Sequence, residues 1–242
     1  MLTTLLLTYA LQGQETVPSG PLVSKVFARY YNAPTLIAEI KCRVVAGNEA
    51  QEFRTEVNIE RPSKLCIRQA RLTPNPKSWL ITANGKVATY DAPENGVSAV
   101  KRLSEPMCDE PGARISKVNQ VYGVAGAQLG DKSTPLDIII GHIEDLRVIQ
   151  TQWARMDKQA QPIEFNGIKA YRVGGAWQEA RDVPTPARFS FIVDAEGKMY
   201  QYNWEAEYTD VGEKGRVVKV RIQWDITSDF EKKPNPKVFD PN

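Results

Sequence analysis

Over residues 199–208 the chain reads M-Y-Q-Y-N-W-E-A-E-Y. In an extended strand successive side chains point to opposite faces, so Tyr200, Tyr202, Trp204 and Tyr208 share one face and Gln201, Asn203, Glu205 and Glu207 the other. Each aromatic side chain brings roughly 150 to 250 Å² of surface, and four in a row exceed the apolar patch that a soluble protein ordinarily leaves open. The row demands a cover. Residues 218–226 repeat the design, setting Val218, Val220, Ile222, Trp224 and Ile226 against Lys219, Arg221, Gln223 and Asp225. Strands of this kind belong to a sheet with one face buried.

The same alternation runs through the first half of the chain. A short amphipathic helix is expected over 22–31, with Val23, Val26, Phe27 and Tyr30 at helical spacing, and Pro34 limits it. Strands follow at about 35–46, 51–60 and 65–72, the last two separated by the break Arg61-Pro62-Ser63. Asn84-Gly85 joins 79–83 to 86–90 in a tight hairpin, because both turn residues tolerate positive φ. Residues 91–96 read as a loop, and 97–103 as a further strand. Between residues 106 and 161 the alternation disappears; Ser133-Thr134-Pro135 has the look of a helix start running into Ile138-Ile139-Ile140. From Ile163 it returns, with turns at Asn166-Gly167 and at 194–197 and strands at about 168–173, 188–193, 198–208 and 215–227. The tail, 234–241, reads as extended, laying Val238 and Phe239 on the sheet edge. The expected fold is mainly β with inserted helices (α+β): one antiparallel sheet of about ten strands in meander order, large enough to curl. Its concave face must be filled by helices, side chains or a ligand.

Residues 1–11 carry no charged side chain and precede the polar Q-G-Q-E-T-V-P-S-G. Such a run is too short to span a bilayer and suits the apolar part of a secretory signal peptide, with small-residue cleavage sites after Ala10 or Gly13. Residues 1–13 are therefore expected to be a signal peptide and 22–242 a single domain; a buried N-terminal strand is the alternative. No Cys follows directly to carry a lipid anchor. The expected location is extracytoplasmic, periplasmic or secreted. Cys42, Cys66 and Cys108 are odd in number and lack C-x-x-C spacing, so one disulfide with a free thiol and other states stay open. Cys42 lies on the apolar side of I-A-E-I-K-C-R-V and reads as a small buried hydrophobe.

Composition and motifs exclude several functions. With 31 basic and 29 acidic residues the net charge is +2, and no basic stripe is visible, which argues against nucleic acid. The single histidine, His142, follows an apolar Ile run and no G-x-S-x-G accompanies it. There is no P-loop, no G-x-G-x-x-G after a strand and no metal-ligand spacing. Acid pairs such as Asp109-Glu110 and Glu144-Asp145 do not single out a catalytic dyad. No catalytic residue, cofactor or metal is expected; binding outranks catalysis, with a carboxylate-dependent hydrolase as the enzymatic alternative.

The order of elements carries a resemblance. An N-terminal helix, two alternating strands, Arg61-Pro62 before a strand, an N-G-K hairpin ending in Tyr90-Asp91-Ala92-Pro93, the later G-I-K-A-Y-R-V strand, the F-I-V-D-A-E-G-K-M-Y hairpin and the closing Val238-Phe239-Asp240-Pro241 together resemble the periplasmic outer-membrane lipoprotein carrier (LolA-like) family over residues 22–242. The middle region is longer than that family's, and K-V-A-T-Y lacks its usual tryptophan. The resemblance implies an incomplete, unclosed β-barrel with a helical lid over an apolar cavity for acyl chains. Arg61 matches the family's functional arginine beside the lid and Leu65 a cavity residue, while the plain alternative makes Arg61-Pro62 a strand terminator.

The expected function is thus a soluble carrier or binder of lipid or lipoprotein acyl chains, since each buried CH₂ contributes about 0.8 kcal/mol. Candidate cavity residues are Phe53, Val57, Leu65, Ile67, Trp79, Ile81, Tyr200, Tyr202 and Trp204, beside Arg61. Expected partners are lipid or acylated protein cargo and a membrane-associated donor or acceptor protein, with the chain a monomer. The second reading is a sensor or protein-interaction module on the same fold, which a side-chain-filled interior would favour.

Overall fold

The computed structural model describes residues 16–94, 97–103, 117–126, 129–131, 133–141, 155–176, 187–210 and 216–240. The expected signal segment, Cys108, His142 and the acid pairs at 109–110 and 144–145 lie outside them.

A two-residue strand, β1 (Val17–Pro18), leads into helix α1 (Ser19–Asn32). Six strands follow in order: β2 (Thr35–Ala46), β3 (Glu49–Glu60), β4 (Lys64–Thr73), β5 (Lys77–Asn84), β6 (Ala88–Glu94) and β7 (Val97–Leu103). Two short helices, α2 (Lys117–Ala125) and α3 (Thr134–Ile140), occupy the middle of the chain. The second half supplies β8 (Arg155–Met156), β9 (Gln159–Phe165), β10 (Ile168–Ala176), β11 (Arg188–Val193), β12 (Met199–Asp210) and β13 (Arg216–Asp229). Three strands exceed the expected set: β1 and β8 are two residues long, and β9, Q-A-Q-P-I-E-F, alternates too poorly to announce itself.

All pairings are antiparallel and follow one path, β1-β9-β10-β11-β12-β13-β2-β3-β4-β5-β6-β7, with β8 paired to β10 beside it. The path does not return to its start, so the sheet is unclosed. Two local meanders, β2–β7 and β9–β13, meet where β13 lies against β2 from Ile37 to Ala46. Leu36, Ala38, Ile40 and Cys42 then stand in rows with Val57, Thr55, Phe53, Ile226 and Trp224 on a single inner face.

That face buries the apolar stripes of the helices. Leu22, Val23, Val26, Phe27 and Tyr30 of α1, Val121 and Tyr122 of α2, and Leu136, Ile138, Ile139 and Ile140 of α3 join the sheet in one continuous core. Pro135 opens α3 and Gly141 closes it at φ 74°, a left-handed cap that costs glycine little.

Three expectations are corrected. Residues 91–94 are not loop but the end of β6, paired to β7 as far as Glu94. β5 pairs β6 only up to Asp91, so Pro93 interrupts no ladder on that side. The tail is not an extended edge segment: Pro236–Phe239 form a 3-10 turn packed against β4 and β5, capped by the Asn235 side chain, and Phe239 is buried. Finally, the aromatic row of β12 is broken by a bulge, because Ile192 pairs Gln201 whereas the next residue, Val193, pairs Met199. The extra residue turns Tyr200 away from the inner face and puts Met199 there in its place.

Candidate functional site

The inner face gathers most of the expected cavity residues. Phe53, Val57, Leu65, Ile67, Ile81 and Tyr202 belong to the core, and Trp79 and Trp204 pack half-buried against it. Val57, Leu65 and Ile67 are 0% exposed, closed over by the helices. Tyr200 is elsewhere: its hydroxyl donates to Asp194 Oδ2 at 3.0 Å, and its ring lies 6.2 Å from Phe165 and 5.5 Å from the Lys198 ammonium. Tyr208, at the far end of the row, is 39% exposed. What sequence reasoning missed is the stack beside the row. Phe189, Phe191 and Tyr202 lie nearly parallel with centroids 6.2 to 6.5 Å apart, and Trp224 meets Tyr202 edge-on at 5.3 Å. The signal was present, since Phe189 and Phe191 are two residues apart in R-F-S-F-I-V.

Polar contacts fasten the helices over this face. Arg61, just after β3, donates from Nη2 to the carbonyls of Tyr30 (3.1 Å) and Ile140 (2.7 Å) and from Nε to that of Ala33 (3.1 Å). It therefore ties the C-terminal ends of α1 and α3 together, satisfying carbonyls that a helix end leaves without intrahelical partners. The close approach needs a glycine: a Cβ on Gly141 would lie 2.9 Å from Arg61 Nη2 and 3.0 Å from Tyr31 Cα.

A second fastening joins residue 131 to the sheet floor. Gln69 on β4 donates to the Asp131 carbonyl at 3.0 Å and accepts from its backbone N–H at 2.8 Å, while also donating to Thr55 Oγ1 at 3.0 Å. Trp224 Nε1 donates to Asp131 Oδ2 at 3.1 Å. Burial raises the Asp131 carboxyl above the usual carboxylate range, although its bonds from Trp224 and Cys42 oppose this. Burial likewise pushes the Cys42 thiol up, with the Asp131 charge adding to it. Deeper in, the Tyr30 hydroxyl shares a 2.9 Å hydrogen bond with Ser228 and accepts from Met199 N; burial pushes it up to about 12. Gln69 and Asp131 carried no sequence motif, being 62 residues apart.

The arrangement is an apolar core beneath helices, with hydrogen-bonded closures at its edge. Among the described residues no group of three or more His, Cys, Asp and Glu is placed to hold a metal ion, and no helix is long and apolar enough to cross a membrane.

No protein-family model matches the chain, and no curated protein matches it. Solved structures do resemble it. The MucA/MucB complex of Pseudomonas aeruginosa aligns at 9% identity and a TM-score of 0.44 over 92% of this chain, which spans 60% of that longer one. A LolA superfamily protein from Nitrosomonas europaea aligns at 8% identity and a TM-score of 0.31, covering 93% of this chain and 98% of its own. An outer membrane lipoprotein-sorting protein domain from Vibrio parahaemolyticus aligns at 10% identity and a TM-score of 0.30, over 91% and 95%. The site is read from this chain's own residues.

Proposed function

We propose that the protein is an extracytoplasmic binder or carrier of lipid, taking acyl chains between the inner face of the sheet and its helices. One observation carries the reading. A wide apolar face is covered by three helices of 14, 9 and 7 residues rather than by a second sheet, with the Arg61 guanidinium joining the C-terminal ends of α1 and α3 and the Gln69 carboxamide holding residue 131 between α2 and α3. Short helices have little stability of their own, so release of those bonds frees them to move and exposes Phe53, Val57, Leu65, Ile67, Ile81 and Tyr202 to a chain of methylenes, each contributing about 0.8 kcal/mol. Tyr200 has no part in this interior; Trp79 and Trp204 flank it.

A second reading has its own support: the described interior is filled by side chains, as a sensor or protein-interaction module would have it. Native mass spectrometry of the purified protein, with titration of a fluorescent fatty acid, separates the two. Co-purifying lipid or saturable uptake is the expected result. A protein free of lipid that ignores the probe, even with Arg61→Ala, overturns the carrier reading and leaves the interaction module.

A further inference from the structure

The opposite face of the same sheet has a groove of about 960 Å³, formed across β8, β10, β11, β12, β13 and β2. Two cross-strand rows make it. One runs Arg155, Ala176, Arg188, Glu205, Arg221, Val45; the other runs Gly174, Ser190, Asn203, Gln223, Arg43. The groove is open where β10 and β11 carry Ala176 and Ser190, the Asp157 carboxylate lies against Gly174 beside the opening, and Arg155 and Arg188 stand on either side of Ala176.

The charges are not self-compensated. Four arginines line the groove against two carboxylates, Asp157 and Glu205. Glu205 is already held by Lys219 Nζ at 2.6 Å and Arg221 Nε at 3.0 Å. Arg43, Arg155 and Arg188 are exposed and make no ion pair among the described residues. Arg155 and Arg188 flank Ala176 in a single row, about 10 Å apart at two strand spacings. Like charges so arranged raise the local potential and favour an anion between them. A guanidinium presents a rigid fork of donors matched to oxyanions. A carboxylate offers two oxygens and satisfies one fork; a tetrahedral phosphate can take forks from both sides of the opening at once.

We propose that this groove is a phosphate-binding site, with Arg155 and Arg188 gripping the anion over Ala176. It lies on the face opposite the apolar interior, so it stands or falls independently of acyl-chain binding. The phosphate could be that of a free ester or of a phospholipid headgroup, and the experiment separates these.

Binding of glycerol phosphate is measured by titration calorimetry, and flotation with vesicles of phosphatidylglycerol and of phosphatidylcholine is measured alongside. Three proteins are compared: the unaltered chain, Arg155→Gln/Arg188→Gln, and the charge-matched Lys86→Gln/Lys237→Gln, whose lysines are exposed and outside the groove. Loss of two charge-assisted contacts should weaken binding at least about tenfold in the arginine pair alone. Binding to glycerol phosphate with that pattern identifies a free ester; binding only to phosphatidylglycerol vesicles with that pattern identifies the headgroup. The proposal is overturned by absence of binding to both, by equal binding of the arginine pair, or by equal loss in the lysine pair, which would reduce the effect to net charge. Circular dichroism melts of all three establish that the fold is kept.

Discussion

The Arg61 guanidinium donates to the Ile140 carbonyl at 2.7 Å, fastening the break after β3 to the last turn of α3. The same group reaches Tyr30 and Ala33, so one side chain joins two helix ends. Arg61→Ala leaves three buried or half-buried carbonyls without their donor. It should lower stability in urea by about 2–4 kcal/mol and raise binding of a dye such as ANS. Arg61→Lys should restore only part of this, because a single ammonium cannot span the three acceptors.

Helix α1 rests on the turn between β11 and β12 as closely as a glycine permits. Gly197 has φ +82°, and a Cβ there would lie 2.7 Å from the Lys25 carbonyl carbon and 2.9 Å from Val26 N. Lys25 Nζ and Arg29 Nη1 bond to the carbonyls of Ala195 and Glu196 in that turn. Gly197→Ala combines a strained φ with a clash against backbone and should cost roughly 1–3 kcal/mol. A fall in melting temperature with faster hydrogen exchange in α1 is the expected observation; an unchanged melt would contradict the packing.

Asp131 predicts a pH dependence. Its carboxyl titrates higher in the folded chain than in the unfolded one, so between those two values the folded state binds more protons and stability falls as pH rises. Below that window the penalty is absent, and above it the penalty is complete. Asp131→Asn removes the charge while keeping an acceptor for Trp224 Nε1. The variant should match the original chain at acid pH and exceed it in melting temperature near pH 7.5. Parallel pH profiles for the two proteins would rule this out.

The two described thiols should be inert. Cys42 and Cys66 are buried and unpaired with one another, and burial raises both above the ordinary thiol range. In a Cys108→Ser background neither should react with iodoacetamide at pH 8 in the native state, and both should react in urea. Rapid labelling of the native protein would show that the helices or the tail open readily.

Legibility followed the local character of each contact. β2 was read as 35–46 and is Thr35–Ala46, because twelve residues alternate against polar partners and Gly47 at φ +59° ends them. The hairpin at Asn84-Gly85 was also read, but not its turn: Ala83 pairs Ala88, so the loop runs over 84–87, and of the two residues only Gly85 takes a positive φ. The bulge that displaces Tyr200 was not foreseen, although Met199 beside Tyr200 puts two apolar residues in succession where a strict period of two allows one. The interior row from Phe53 to Ile81 was legible because each member lies on the apolar side of its own strand. Gln69 and Asp131, and the arginines of the outer groove, were not: Arg43, Arg155, Arg188 and Arg221 are scattered through the chain, and only strand register brings them to one place. A reading that found no basic stripe was correct for the linear sequence and silent about the assembled sheet.

The junction of β2 with β13 also sets an order of events in time. β2 finds one neighbour, β3, across a two-residue turn, but its other neighbour begins at Arg216. During synthesis the edge from Ile37 to Ala46 is therefore made early and left bare until most of the chain has emerged. Bare edges recruit foreign strands, and late long-range pairing slows folding. The charged outward residues Glu39, Lys41 and Arg43 guard that edge while it waits, and the arrival of β13 decides how long the guard must last.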